Sequence, residues 1–199
     1  MEEQASSFPT PPGASGPADI ANFGLTGEQV AVRGLCRDFA LREIVPYVEE
    51  YEQQQRYPWE PVKKMAALGL VGALVPEQYG GAGMDFVSQG IICEEMTRAD
   101  RACGSVASMS GSLIAQTFLH WGTEAQKQTY LPPMCRGEKL GAAGLTEPGG
   151  GSDLGALKTT ATRDGDCYLL NGEKCFISHG TEADIFVVLA SVDLSLGHK

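Results

Sequence analysis

Up to about residue 136, apolar residues recur at helical spacing; beyond it they run at strand spacing between turn signals. Thr26-Gly27-Glu28-Gln29 matches a capping box, in which the threonine oxygen and the glutamine three residues on satisfy each other's free amides. Ala31, Leu35 and Phe39 then fall at four-residue spacing and predict one helix face, which Pro46 kinks or ends. A second helix starts near Pro58, carries the stripe Trp59, Val62, Met65 and Ala66, and stops at Gly69. Leu70 to Val75 is a short apolar stretch. Asp85 is a good N-cap for a third helix running to about Thr97. The segment from about Arg101 to Leu119 is rich in Ala, Ser, Gly and Met, which predicts a helix closely packed among others. Thr123 caps a short helix expected to end near Tyr130, before Pro132 and Pro133.

After Gly137 the pattern changes. Leu157 to Arg163, Asp166 to Leu170 and Lys174 to Ser178 read as strands, with Asp164-Gly165 and Asn171-Gly172 as hairpin signals between them. Ile185 to Val192 is rich in β-branched residues and predicts a further, well-buried strand. The expected class is α+β, an N-terminal helical bundle followed by an antiparallel β-domain. The expected division is a disordered tail over 1–22, an all-α domain over 23–136 and a β-domain over 137–199. Pro9, Pro11, Pro12, Gly13 and Pro17 punctuate the tail, which has little to build a core.

Charge and composition narrow the function classes. The net charge of −10 argues against a nucleic-acid surface, which would cluster Lys and Arg. No apolar run is long enough to span a bilayer. The start Met1-Glu2-Glu3 resembles neither a secretory signal nor a mitochondrial presequence, so a cytoplasmic location is expected. Cys36, Cys93, Cys103, Cys135, Cys167 and Cys175 form no Cys-x-x-Cys pair, and only His120, His179 and His198 could assist them. No metal site is expected, and all six cysteines read as reduced, buried, small hydrophobes.

The stretch Leu145-Thr146-Glu147-Pro148-Gly149-Gly150-Gly151-Ser152-Asp153 carries the candidate chemistry. Its glycines let the main chain approach a ligand, and Thr146 and Ser152 bracket it with hydroxyls. It is no P-loop, since no Gly-Lys-Ser/Thr comes after it, and its spacing is not that of a dinucleotide fingerprint. Glu94 and Glu95, beside Arg98, Asp100 and Arg101, read as surface ion pairs rather than as an acid/base pair.

Further motifs keep step with this loop: Tyr79-Gly80-Gly81-Ala82-Gly83, Gly122-Thr123-Glu124-Ala125-Gln126-Lys127, Tyr130-Leu131-Pro132, Gly137-Glu138-Lys139 and Asn171-Gly172-Glu173-Lys174-Cys175-Phe176-Ile177-Ser178. In order and spacing they resemble the acyl-CoA dehydrogenase family over roughly residues 25 to 199. The resemblance implies FAD as cofactor and an acyl-CoA as substrate, with α,β-dehydrogenation as the reaction. It places Ala143, Leu145, Thr146, Gly151 and Ser152 along the flavin, Thr146 with its hydroxyl on the ring and Ser152 also against the thioester portion of the substrate. Phe176, Ile177 and Ser178 stand where the family packs an aromatic, an aliphatic and a hydroxyl residue on the flavin. Phe176 replaces the commoner Trp, and Ala143 stands where many members carry an aromatic. His179 replaces the usual Asn and reads as a plain turn histidine. The Tyr79–Gly83 loop is either near the acyl cavity or a structural turn.

The family's glutamate base lies in a C-terminal helical domain that these residues do not include, so no catalytic residue is assigned. The 199 residues alone are expected to bind FAD weakly or not at all and to show no turnover. The resemblance also implies an electron-transfer flavoprotein or similar acceptor, and a homotetramer at full length. Two other readings share the motifs: a non-catalytic chain or subunit completing a flavin site with a partner chain, and an acyl-CoA oxidase or flavin monooxygenase of the same fold.

Overall fold

The computed structural model describes residues 24–196, so the tail expected over 1–22 lies outside the described residues. Helix α1 (Gly27–Phe39) opens on the expected capping box, with Gln29 N donating to Thr26 Oγ1 at 3.2 Å and Thr26 N to Gln29 Oε1 at 3.0 Å. Its buried face matches the expected one only at Phe39. Cys36 and Phe39 are buried with Val32 packed beside them, whereas Ala31 and Leu35 are exposed. Polar tethers set this rotation: Gln29 donates to Asp85, and Arg37 grips Glu95 on the facing helix. Pro46 kinks the chain without ending it. A π-helical turn (Ala40–Ile44) and a 3-10 turn (Val45–Tyr47) absorb the missing amide before α2 (Val48–Gln54) resumes.

Helix α3 (Trp59–Ala67) buries Val62, Met65 and Ala66 as the stripe predicts. It stops at a left-handed Gly69, with Gly69 N donating to Ala66 O and Leu70 N to Met65 O. Helix α4 (Phe86–Ala99) starts on Asp85, which accepts from Ser88 N at 2.7 Å. The predicted 101–119 helix is α5 (Arg101–Ser105), a nine-residue π-helical stretch (Val106–Ile114) and α6 (Ala115–Trp121). Its small residues serve close approach: a Cβ on Gly111 would lie 1.8 Å from the carbonyl oxygen of Val71. The Tyr79–Gly83 segment is a packed turn, tied by Ala82 N to Gly72 O, Gly83 N to Val75 O and Met84 N to Ala73 O.

Helix α7 (Glu124–Cys135) overruns its predicted end and carries Pro132 and Pro133 inside it. Two prolines cost the ladder two donors. Burial of Leu131, Met134 and Cys135 outweighs that loss, and the proline carbonyls accept from Arg136, Glu138 and Lys139.

Two cores result. One joins Phe39, Val62, Met65, Ile92 and Met96 among the helices. The other joins Ile114, Leu131 and Met134 to Ala143 and Ile185, so it extends from the helices into the strands. The α+β class is as expected. Strands β2 (Thr160–Asp164) and β3 (Cys167–Asn171) form an antiparallel hairpin with Gly165 and Asp166 at its tip. Strands β1 (Gly141–Gly144) and β4 (Ile185–Val188), by contrast, pair in parallel, Gly141 opposite Ile185. Parallel pairing needs a crossover, and the long excursion between them supplies it.

Three strand-level expectations are corrected. Lys174–Ser178 is not a strand, because Phe176 within it (φ 55) and His179 directly after it (φ 63) take left-handed backbone that no strand accommodates. Asn171-Gly172 therefore closes no hairpin. The last strand ends at Val188 and is only partly buried, with Phe186 45% exposed, and Val192, beyond its end, is 76% exposed. The cysteines also divide. Cys36, Cys103 and Cys135 are buried, and burial pushes the Cys36 thiol up to about 12, but Cys93 and Cys175 are partly exposed and Cys167 is exposed.

Candidate functional site

Strand β1 delivers the chain into the glycine-rich loop, and one buried ion pair shapes the loop from its far side. Glu147 N donates to Gly150 O and Gly150 N to Glu147 O, each at 3.0 Å, folding Pro148 and Gly149 into a tight turn. The Glu147 carboxylate is thereby turned inward. It accepts from Lys158 N at 2.7 Å, Thr159 N at 2.9 Å and Lys174 Nζ at 2.8 Å. Lys174 Nζ also donates to Leu145 O at 3.1 Å. The Lys174 ammonium, then the Thr159 and Lys158 donors, hold the Glu147 carboxyl at about 2, well below the carboxylate range. Cys175 N donates to Thr146 O at 2.9 Å and adds a main-chain stitch.

The 145–152 and 174–178 segments are thus held side by side, although the sequence separates Glu147 and Lys174 by 27 positions. Neither residue stands out in the sequence. A glutamate before Pro-Gly and a lysine after Asn-Gly-Glu are individually unremarkable, and only the fold makes them a pair.

Each expected site residue has a definite place. Ala143 is buried in β1, opposite Val187, and packs in the second core. Leu145 is half-buried against the same core. Thr146 is half-buried, and Gly151 folds onto it so closely that a Cβ there would lie 3.1 Å from Thr146 Cγ2. Ser152 is exposed at the far end of the loop. Ile177 and Ser178 are half-buried, with Ile177 Cδ1 beside Gly144. Phe176 holds its ring 92% exposed on a left-handed backbone, a costly placement for an aromatic residue. Among the described residues, the hydroxyls of Thr146, Ser152 and Ser178 have no hydrogen-bond partner. One open aromatic face next to unengaged hydroxyls and a glycine-rich main chain fits a flat, polar ring such as an isoalloxazine.

Two charged groups differ from expectation. Glu95 is no surface residue. Its side chain is 3% exposed, gripped at both oxygens by Arg37 (2.6 and 3.2 Å) and approached by Arg98 at 3.4 Å. His179 is no plain turn histidine, because both its ring nitrogens are engaged by residues of the helical half. Among the described residues, no helix is long and apolar enough to cross a membrane.

Residues 26–138 match the acyl-CoA dehydrogenase N-terminal domain and residues 142–199 the acyl-CoA dehydrogenase middle domain. The short-chain-specific acyl-CoA dehydrogenase of Clostridium acetobutylicum is 44% identical over 178 residues, which are 89% of this chain and 47% of that protein. The solved butyryl-CoA dehydrogenase of Megasphaera elsdenii superposes with a TM-score of 0.81 at 39% identity, covering 88% of this chain and 47% of that one. An acyl-CoA dehydrogenase of Bacillus anthracis, solved in complex with FAD, superposes at 0.78 with 37% identity, covering 88% and 30%. The chain spans about half the length of the curated relatives it matches. With its paired loops and its helical-then-β order, the chain belongs to the acyl-CoA dehydrogenase family.

Proposed function

We propose that this chain forms the N-terminal helical domain and one flavin-facing wall of an FAD-dependent acyl-CoA dehydrogenase. One observation carries the reading: the Glu147–Lys174 pair sets the Thr146 and Ser152 loop beside Phe176–Ser178 with their hydroxyls unengaged and the Phe176 ring open. FAD, when bound, supplies the hydride acceptor for α,β-dehydrogenation of an acyl-CoA thioester. Phe176 and Ile177 offer an apolar face to its ring. Thr146 and Ser178 would donate hydrogen bonds to its polar edge. The main chain of Leu145 and Gly151 would lie along it, with Ala143 packed in the second core. Ser152 orients the thioester portion of the substrate. No residue here is assigned as the base that removes the α-proton.

The division near residue 136, into a helical domain and a β-domain, belongs to this reading. So do a homotetrameric assembly, an electron-transfer flavoprotein as acceptor and a cytoplasmic location. Since the chain spans about half the length of its relatives, residues 1–199 alone are expected to hold FAD weakly and to reduce no dye.

The test is made on the full-length gene product. A saturated acyl-CoA series should bleach its flavin absorbance, and Thr146→Ala and Phe176→Ala should each weaken FAD by about tenfold. A full-length protein that carries no flavin, or whose flavin spectrum and affinity are unchanged in both variants, would sink the proposal.

A further inference from the structure

His179 ends the proposed flavin-facing segment and reaches away from it into the helical half. Its Nδ1 lies 2.7 Å from the Tyr57 hydroxyl, just before α3, and its Nε2 lies 3.1 Å from Ser105 Oγ at the end of α5. Proton roles along this relay are set from its far end. Ser105 Oγ donates to Ala102 O at 2.8 Å, and a carbonyl only accepts. The single Ser105 proton is therefore spent there, and Ser105 Oγ accepts from His179 Nε2–H. That leaves Nδ1 bare, to accept from Tyr57, whose hydroxyl has no other partner among the described residues. The relay thus requires a neutral imidazole in one tautomer. Glu182 adds a second tether by accepting from Trp59 Nε1 at 3.2 Å.

We propose that His179 is a positioning residue: through Tyr57 and Ser105 it latches the Phe176–Ser178 segment to the helical half, and the latch holds only while the imidazole is neutral. The inference rests on the proposed function for what the segment faces, but not for the latch itself. A proton on Nδ1 would point at the Tyr57 proton across 2.7 Å, and that hydroxyl would have to turn away from its one partner.

The charged surroundings do not reward protonation. Arg101 of α5 opposes it, and the Cys103 thiol on the same helix is neutral and buried. Asp100 and Glu182 act on Tyr57, whose hydroxyl is held protonated by burial first and by Cys103, Glu182 and Asp100 after it. Burial first, and Arg101 more weakly, hold the imidazole below its ordinary value of 6.5 against the Ser105 main chain, which favours the charged ring. The latch is therefore intact above 6.5, where folded and unfolded chains both hold a neutral ring. Below it the unfolded chain takes up a proton that the folded chain resists, and the latch's stability is lost as pH falls through the folded value.

The test uses the flavin-free chain, and NMR of the ring nitrogens reads the tautomer. At about pH 7.5 Nε2 should carry the proton and Nδ1 should not. The amides of Gly180, Glu182 and Ala183, bonded within this turn to Ile177 O and His179 O, report its closure by hydrogen exchange. After correction for intrinsic rates, they should exchange about tenfold faster at about pH 5 than at about pH 7.5. Tyr57→Phe should speed them at both values. His179→Asn, which tolerates the left-handed backbone, should abolish the pH response. The opposite tautomer, a pH-independent exchange rate, or an equal pH response in His179→Asn would overturn the proposal. Should a variant fail to fold, the tautomer and the wild-type exchange still decide. None of these readouts needs flavin, so failure of the latch and failure of the flavin reading are distinguishable.

Discussion

At the scale of single residues, Glu147 and Lys174 do most to define the site without facing it. Their side chains are 9% and 8% exposed, and each also fixes backbone: the carboxylate holds two amides, the ammonium a carbonyl. Removing one member leaves the other buried and uncompensated, which is worse than never having had the pair. Lys174→Met should lower the thermal midpoint by about 5 °C or more, and by more than Glu147→Gln does. The pH dependence has a fixed sign. With a folded value of about 2 against 4.5, the carboxylate's contribution is fully present above 4.5 and is lost as pH falls from there toward 2. Midpoints measured through that window should fall more steeply for the wild type than for Glu147→Gln; parallel slopes would show that the pair is not what stabilises the loop. The hydroxyl and glycine positions of this site were legible in the sequence because they carry motif signals of their own. The ion pair was not, since pairing at 27 residues' separation is a property of the fold.

Among elements, the helical starts and stops were the most legible part of the chain. Thr26, Asp85, Gly69 and Thr123 act locally, within one turn, and each cap sits where its residue type predicts. Rotation and length were less so, because tertiary contacts set them. Arg37 and Gln29 turn α1 by one position, and burial of Leu131 and Met134 carries α7 through two prolines. The departure of Lys174–Ser178 from a strand has the same cause: Phe-Ile-Ser suits a strand by propensity, but the Lys174 tether and two left-handed residues bend it into a wall. Two glycines make the distinction measurable. Gly111→Ala should destabilise by about 2–3 kcal/mol, since its Cβ would strike the Val71 main chain. Gly90→Ala, at an exposed position of α4 with nothing near its Cβ, should stabilise by about 0.5–1 kcal/mol. Urea midpoints that moved together would show that packing around the π-helical stretch is looser than the structure has it.

For the whole molecule, the change of pattern near residue 136 is real as a change of secondary structure, yet the second core runs across it. Ile114, Leu131 and Met134 are covered by Ala143 and Ile185. Residues 24–136 expressed without the strands should therefore bind a hydrophobic dye and aggregate, where residues 24–196 stay monodisperse; a well-folded helical fragment in light scattering would count against the shared core. The parallel ladder between β1 and β4 adds an order in time. As the ribosome extends the polypeptide, the helices emerge first, but the strand that seals their open side finds its place only after Val188 has left the exit tunnel. Until then the nascent chain carries an uncovered flank, and a chaperone waiting there would have roughly fifty residues' worth of synthesis in which to act.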